Sequence, residues 1–239
     1  MERDFLSDVE LYFSERVSET SRKIYLSGDE ARHIVKVMRH NEGDEIFVTA
    51  GKGKIFRTII TGIAKDEIIA EIKEEKDYEN KFENIILAIP IMKNFDRLEF
   101  ALEKSVELGI TRFVVFRAKK SGPKNPKLER WRKILTAAMK QSLRSYLPEI
   151  SFIENISELK NEKILFFDQN AEIKISDWLT KNEERNFREK MFFVFGPEGG
   201  LTENEMNGFS NSEKLRLTEN RLRTETAVIT LVVSLNSSV

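Results

Sequence analysis

The sequence predicts an α/β protein: a parallel sheet flanked by helices, preceded by a smaller β-rich unit. Three observations carry that expectation. Toward the C-terminus, strand, polar loop and helix alternate, as in parallel sheets. The strands there are unbroken apolar runs, as strands buried on both faces require. Within the first 75 residues, 45–50, 55–61 and 67–72 instead alternate apolar and polar positions with period two, the pattern of half-buried strands.

In chain order, residues 23–26 read as a short strand. A helix starts at Ser27-Gly28-Asp29-Glu30, with Ala31, Ile34, Val35 and Met38 at helical spacing. Residues 41–44 (NEGD) form a turn. Strands follow at 45–50, 55–61 and 67–72, with Gly51-Lys52-Gly53 as a hairpin turn. This compact barrel-like domain spans residues 1–75. Its Arg39, Lys52, Lys54 and Arg57 either meet phosphates or serve only surface solubility. The polar stretch EEKDYENKFE, 74–83, marks the boundary to a second domain, 76–239.

In that domain, 84–91 is a buried strand. Residues 96–108 form a helix with Leu98, Ala101, Leu102, Ser105 and Val106 on one face, closed by Gly109. A strand at 110–116 leads to an exposed basic loop, 119–127, containing Gly122, Pro123 and Pro126. A helix from 128 to about 144 stops before Pro148. Strands at 150–153 and 163–167 and a helix at 176–182 follow. The strand 192–195 then runs into Gly196-Pro197-Glu198-Gly199-Gly200. Thr202 and Glu205 have the spacing of a capping box. A short strand, 214–217, a polar loop, 218–221, and an apolar helix complete the chain. Ligands of parallel sheets bind outside the carboxyl ends of the strands, so two such loops form one pocket. The glycines let backbone approach a ligand closely.

Composition narrows the function. The chain has 239 residues, no cysteine and two histidines, His33 and His40, which excludes disulfides and makes a metal site a poor expectation. No apolar run approaches the roughly 20 residues of a membrane helix, and the acidic start MERDFLSDVE lacks a signal peptide's apolar core. The expectation is a cytoplasmic protein. Net charge is −1, yet residues 117–144 hold ten basic residues against one acid, Glu129. That window is +9 and the other 211 residues sum to −10. The band is either a polyanion footprint or a solvated helix face.

Two segments, Gly196-Pro197-Glu198-Gly199-Gly200-Leu201-Thr202 and Leu222-Arg223-Thr224-Glu225-Thr226-Ala227, resemble the ribosomal RNA small-subunit methyltransferase E family of the SPOUT superfamily. The resemblance extends over nearly the whole chain. Residues 32–39 (RHIVKVMR) with Gly43-Asp44 are similar to the family's PUA-like barrel, which is RNA-binding. Residues 103–110 (EKSVELGI), Arg130-Trp131 and Gln141-Ser142 with Arg144 are similar to its next helices. The resemblance implies a trefoil knot where chain-threading rules alone predict an unknotted doubly wound sheet. It implies S-adenosyl-L-methionine as cofactor, 16S ribosomal RNA or the small ribosomal subunit as partner, a homodimer, and methylation of a uridine at N3.

The cofactor loops become Phe167-Asp168-Gln169, 196–200 and 217–222. The resemblance points to Phe167, Gly196, Pro197, Gly199, Gly200, Leu217, Asn220, Leu222 and Thr226 as cofactor-binding residues. Arg223 is expected to orient the uracil and stabilise its anion, or else to pair with Glu225 or cap the sheet. Arg39, Lys119, Lys120, Lys124, Gln141, Arg144 and Glu198 are the substrate-side candidates. Gln141 and Arg144 can equally be surface residues, and Glu198 can instead cap the loop's N–H groups. Two departures stand out. Thr218 replaces a common glycine, so a positive φ there would be strained, with Asn220 as the residue able to take that role. Leu143 replaces a residue that is often small. A methyltransferase of another RNA or another atom, and a non-catalytic RNA-binding protein, are the alternatives. A nucleotide-binding oxidoreductase is disfavoured, because neither G-x-G-x-x-G nor G-x-x-x-x-G-K-[ST] occurs.

Overall fold

The computed structural model describes residues 9–122, 124–182 and 187–237. Pro123 of the expected basic loop and most of the acidic start, residues 1–8, lie outside them. The chain forms two compact units. One runs through Asn80 and takes in Met139–Leu147; the other comprises Lys81–Ala138 and the chain from Pro148 onward.

The first unit is built on strands β1 (Leu11–Phe13), β2 (Val17–Ser18), β3 (Lys23–Ser27), β4 (Glu45–Thr49), β5 (Lys54–Ile63) and β6 (Glu67–Asp77). They form one sheet in the order β1-β4-β5-β6-β3-β2, antiparallel except for the β1–β4 pair. Alternation places Ile24, Leu26, Ile46, Val48, Phe56, Ile68 and Ala70 in its core. The expected boundary at residue 75 falls inside β6. The charged run is a strand because its carboxylates face cross-strand cations. Lys54 meets Glu75 at 2.9 Å, and Arg57 meets Glu45 at 2.7 Å and Glu74 at 3.0 Å. These two cations therefore carry their own counterions.

Helix α1 (Gly28–Arg32) passes into a π-helical turn, His33–Val37, in which Met38 N–H donates to the His33 carbonyl at 3.0 Å. The wider turn shifts the helical phase. Ala31 and Ile34 stay buried as expected, but Met38 is 37% exposed and Val37 62%. Arg39 closes the turn with φ +62°.

The second unit carries β7 (Ile85–Pro90), α2 (Phe95–Glu107), β8 (Arg112–Phe116), α3 (Leu128–Gln141), β9 (Glu149–Ile153), β10 (Lys163–Phe167), β11 (Ile173–Lys174), α4 (Ile175–Asn182), β12 (Met191–Val194), α5 (Glu203–Met206), β13 (Ser212–Arg216) and α6 (Thr224–Asn236), with a short 3₁₀ turn, Ile156–Leu159. The last residues of α3 belong to the first unit. The sheet order is β11-β13-β10-β12-β7-β8-β9, parallel throughout. All six residues of β7 and all four of β12 are buried, consistent with a sheet covered on both faces.

Two helix ends differ. After α2, Gly109 takes φ +101° while Gly109 N–H donates to Val106 and Ile110 N–H to Ser105. That is the Schellman arrangement with glycine in the left-handed position. After α3 the same two bonds run from Leu143 to Lys140 and from Arg144 to Met139, with Leu143 at φ +55°. A leucine there costs about 1 kcal/mol or more. Its side chain packs against Leu11, Phe47 and Ile55, which offsets the strain. The helix therefore ends at Gln141, short of the expected residue 144.

Candidate functional site

Sheet order creates the site. β13, β10 and β12 are parallel neighbours, although β11 and α4 intervene in sequence. Their carboxyl ends therefore release three loops side by side. A cavity of about 740 Å³ opens there, walled by Phe167, Asp168 and Gln169 after β10, by Gly196 to Leu201 after β12, and by Leu217, Thr218 and Asn220 to Thr224 after β13. Arg97 of α2, Met206 and Ala227 complete the wall. Its size is that of a pocket for a cofactor-sized ligand.

The glycine loop is a tight turn in which Gly200 N–H donates to the Pro197 carbonyl at 2.7 Å. Gly200 has φ +71°, which a side chain would strain. A Cβ on Gly196 would sit 3.2 Å from the Leu201 nitrogen, and one on Gly199 would sit 2.9 Å from Lys120 Cδ. Lys120 Nζ donates to the Gly199 carbonyl at 2.7 Å, so this lysine lies along the loop. Thr224 Oγ1 donates to the Gly196 carbonyl at 2.8 Å and ties the start of α6 to the same loop. Phe167 stacks on Phe195 with centroids 4.8 Å apart, which gives the wall a rigid apolar patch.

Charge is arranged around one arginine. Arg97 donates to Glu198 at 2.8 Å and approaches Glu225 at 3.6 Å, so the glycine loop, α2 and α6 share one ionic junction. Arg221 donates to the Glu198 backbone carbonyl. Glu225 thus faces Arg97, and Arg223 makes no ion pair among the described residues. The arrangement in which Arg223 pairs with Glu225 is not adopted. Glu198 likewise pairs with Arg97 rather than capping the loop's N–H groups.

Glu205 anchors the neighbouring loop. Its buried carboxylate accepts from Lys119 N–H at 2.7 Å and from the Thr202 N–H and hydroxyl at 2.8 and 2.7 Å. Burial works to raise its pKa, but these hydrogen bonds outweigh it and hold the group below the ordinary glutamate value. The expected capping box is present.

Of the expected cofactor residues, eight line the cavity: Phe167, Gly196, Pro197, Gly199, Gly200, Leu217, Asn220 and Leu222. Thr226 does not. It is exposed, because a helix that presents Thr224 and Ala227 to the cavity turns position 226 away. Sequence reasoning passed over Thr224, Arg97 and Arg221. Arg97 has no local signal, since only tertiary structure brings α2 to the glycine loop. Neither Thr218 nor Asn220 has a positive φ, so the glycine replacement at 218 carries no strain. Instead Thr218 Oγ1 donates to the Asn220 carbonyl at 2.7 Å.

Arg223 and Glu198 line the cavity, while Lys119 and Lys124 are exposed outside it. Lys124 and Lys127 lie over the Phe95 ring at 4.8 and 5.2 Å. Arg39, Gln141 and Arg144 belong to the first unit and are not among the lining residues. Among the described residues no group of three acidic, histidine or cysteine side chains is placed to hold a metal. No helix among them is long and apolar enough to cross a membrane.

Comparison with known proteins agrees with this geometry. Residues 78–236 match the model of an RNA methyltransferase domain and residues 26–73 that of an RNA methyltransferase PUA domain. The ribosomal RNA small subunit methyltransferase E of Aquifex aeolicus is 30% identical over 207 residues, 82% of this chain and 86% of the relative. That of Bacillus subtilis is 28% identical over 217 residues, 84% of this chain and 85% of the relative. The crystal structure of the Neisseria gonorrhoeae methyltransferase of the same name, bound to S-adenosyl methionine, superposes with a TM-score of 0.81 at 28% identity, covering 96% of this chain and 97% of that one. Matched across both units, and with a cavity where three parallel strands end, the chain belongs to the ribosomal RNA small subunit methyltransferase E family.

Proposed function

We propose that this protein is a cytoplasmic, S-adenosyl-L-methionine-dependent methyltransferase acting on N3 of a uridine in 16S ribosomal RNA. The observation that carries the reading is the cavity formed by three loops from adjacent parallel strands, with Arg223 on its wall and in no ion pair among the described residues. The residues fit the cofactor. Gly196, Gly199 and Gly200 expose backbone groups, Leu217, Leu222 and Phe167 offer apolar surface to a purine, and Asn220 and Asp168 supply polar contacts. When bound, S-adenosyl-L-methionine supplies an electrophilic methyl group on a sulfonium.

The chain's own task is placement. Holding the base N3 in line with the methyl group lowers the barrier by roughly 7–11 kcal/mol. Arg223, which makes no ion pair among the described residues, favours loss of the N3 proton to solvent by stabilising the uracil anion, an effect of a few kcal/mol. Arg97 holds Glu198 and Glu225, and so positions the glycine loop against α6. Lys119 and Lys124 attract RNA phosphates, and Arg39, Gln141 and Arg144 are the RNA-side residues of the first unit.

Two further features belong to the reading. The C-terminal segment threads a trefoil knot; the placement of β13 beyond β10, away from the sequence-adjacent β12, supports this. The protein is a homodimer, supported by exposed Phe100 and Val233 on α2 and α6, two helices that pack together. Mass spectrometry of small-subunit ribosomal RNA from a strain lacking the gene tests the activity. One uridine should lose its N3-methyl group and regain it on complementation. An unchanged methylation pattern would overturn the proposal.

A further inference from the structure

A second cavity, of about 160 Å³, is walled by the outer residues of the same glycine loop. Pro197, Glu198 and Gly199 line both cavities. Its volume is about five times the roughly 30 Å³ of a liquid water, enough for one pyrimidine-sized ring and too little for a second cofactor. The floor is apolar and rigid: Ile91 is 0% exposed and Met92 7%. The rim is cationic and hydroxylic, from Lys93, Lys120 and Ser121.

These rim groups differ in what they have left to give. Lys120 is committed to the Gly199 carbonyl at 2.7 Å. Ser121 Oγ accepts from Ala118 N–H at 3.2 Å and keeps its own proton for donation. The ammonium of Lys93 has no hydrogen-bond or ion-pair partner among the described residues. Glu198, the one acid in the wall, is held by Arg97 at 2.8 Å and does not neutralise the lysines. An apolar floor with an unpaired cation at its edge suits a nucleotide, with base and phosphate separated as the cavity separates them.

We propose that this smaller cavity binds the nucleotide adjoining the methylated one, its base in the cavity mouth and its phosphate at Lys93. The inference rests on the methyltransferase reading above. The shared loop supplies the geometry, because a polynucleotide with one base in the larger cavity has its neighbour beside the same loop. Lys93 is a positioning residue, acting on the RNA and not on the reacting atoms.

The test is steady-state methylation of undermethylated small-subunit RNA by the full chain, with calorimetric titration of S-adenosyl-L-methionine alongside. Lys93→Ala should raise KM for RNA roughly ten- to a hundredfold, the loss of one charge-assisted hydrogen bond. It should leave kcat within about twofold and cofactor affinity unchanged. The slope of log KM against log salt should fall by about 0.7–0.9, one phosphate contact. Lys93→Arg should restore most of the affinity. Gly122→Leu adds bulk to the cavity wall beside Lys93 and should raise KM similarly; a Cβ there finds Lys93 Cγ at an ordinary 3.5 Å. Unchanged KM and salt slope in Lys93→Ala and Gly122→Leu, with active wild-type protein, would overturn the subsite alone. Wild-type protein that binds no cofactor and transfers no methyl group would overturn the reading beneath it, and the subsite with it.

Discussion

Arginines on the helices and cations on the loops of the methyltransferase unit are treated differently. Along helices α2 and α3 each arginine meets an acid: Arg130 with Glu99 at 2.5 Å, Arg132 with Glu129 at 2.5 Å, Arg97 with Glu198 and Glu225. Around the glycine loop, Arg223, Lys93 and Lys119 form no salt bridge among the described residues. The basic band at 117–144 is thus not one surface. Arg117, Arg130, Arg132 and Lys140 hold Glu154, Glu99, Glu129 and Glu30. The acids that neutralise them come mostly from distant parts of the chain. A run of charge in sequence therefore overstates the patch in space. The cations that remain unpaired are the ones available to a polyanion.

Removing the unpaired cation nearest the chemistry should break this contrast most severely. Arg223→Ala should lower kcat for RNA methylation about 10²–10³-fold, the usual effect of losing an anion-stabilising donor. Cofactor affinity should stay within a few-fold by calorimetry. Retained activity would return Arg223 to a structural role.

A smaller effect separates the two classes of lysine and arginine. Reversing Lys119 and Lys124 to Glu should weaken RNA binding about 10–100-fold and flatten its salt dependence by about 1.5 in log–log slope. Lys120 is left intact because it also holds the glycine loop. The single change Arg132→Ala should alter RNA affinity little, and stability by less than about 1 kcal/mol, as for an exposed pair. Equal effects at both places would erase the distinction.

The mildest test concerns the anchor between them. Glu205→Gln keeps the shape but loses charge-assisted bonds to Thr202 and Lys119, and should cost about 2 kcal/mol in urea unfolding at neutral pH. The carboxylate's pKa is lowered in the folded state. Its contribution is therefore complete above the ordinary glutamate range and disappears as pH falls through the lowered value. The stability gap between variant and wild type should close in acid. A gap independent of pH would mean that packing, not charge, makes Glu205 matter.

Much of this was legible in the residues themselves. Continuous apolar runs such as 192–195 identify strands buried on both faces, and Thr202 with Glu205 identifies a capped helix, because both signals are local. Eight of the nine residues expected at the cofactor line the cavity, on three loops that glycine, proline and polar punctuation mark out. Met38 was misplaced because a single π turn moves the phase without a sequence signature. Thr226 lies off the cavity wall through helical phase, in which Thr224 and Ala227 take the inner face. The end of α3 was misplaced because Leu143 adopts a left-handed conformation that glycine usually fills, and tertiary packing offsets its cost.

By itself the sequence determined the fold class, the loops and the residue types on them, since these follow from periodicity, turn chemistry and short-range steric preference. Tertiary structure alone decided that β13 lies beside β10, that Arg97 reaches Glu198 and Glu225, and which cations keep a counterion. The Arg97 contacts join residues more than a hundred positions apart, and no local propensity encodes a partner at that distance.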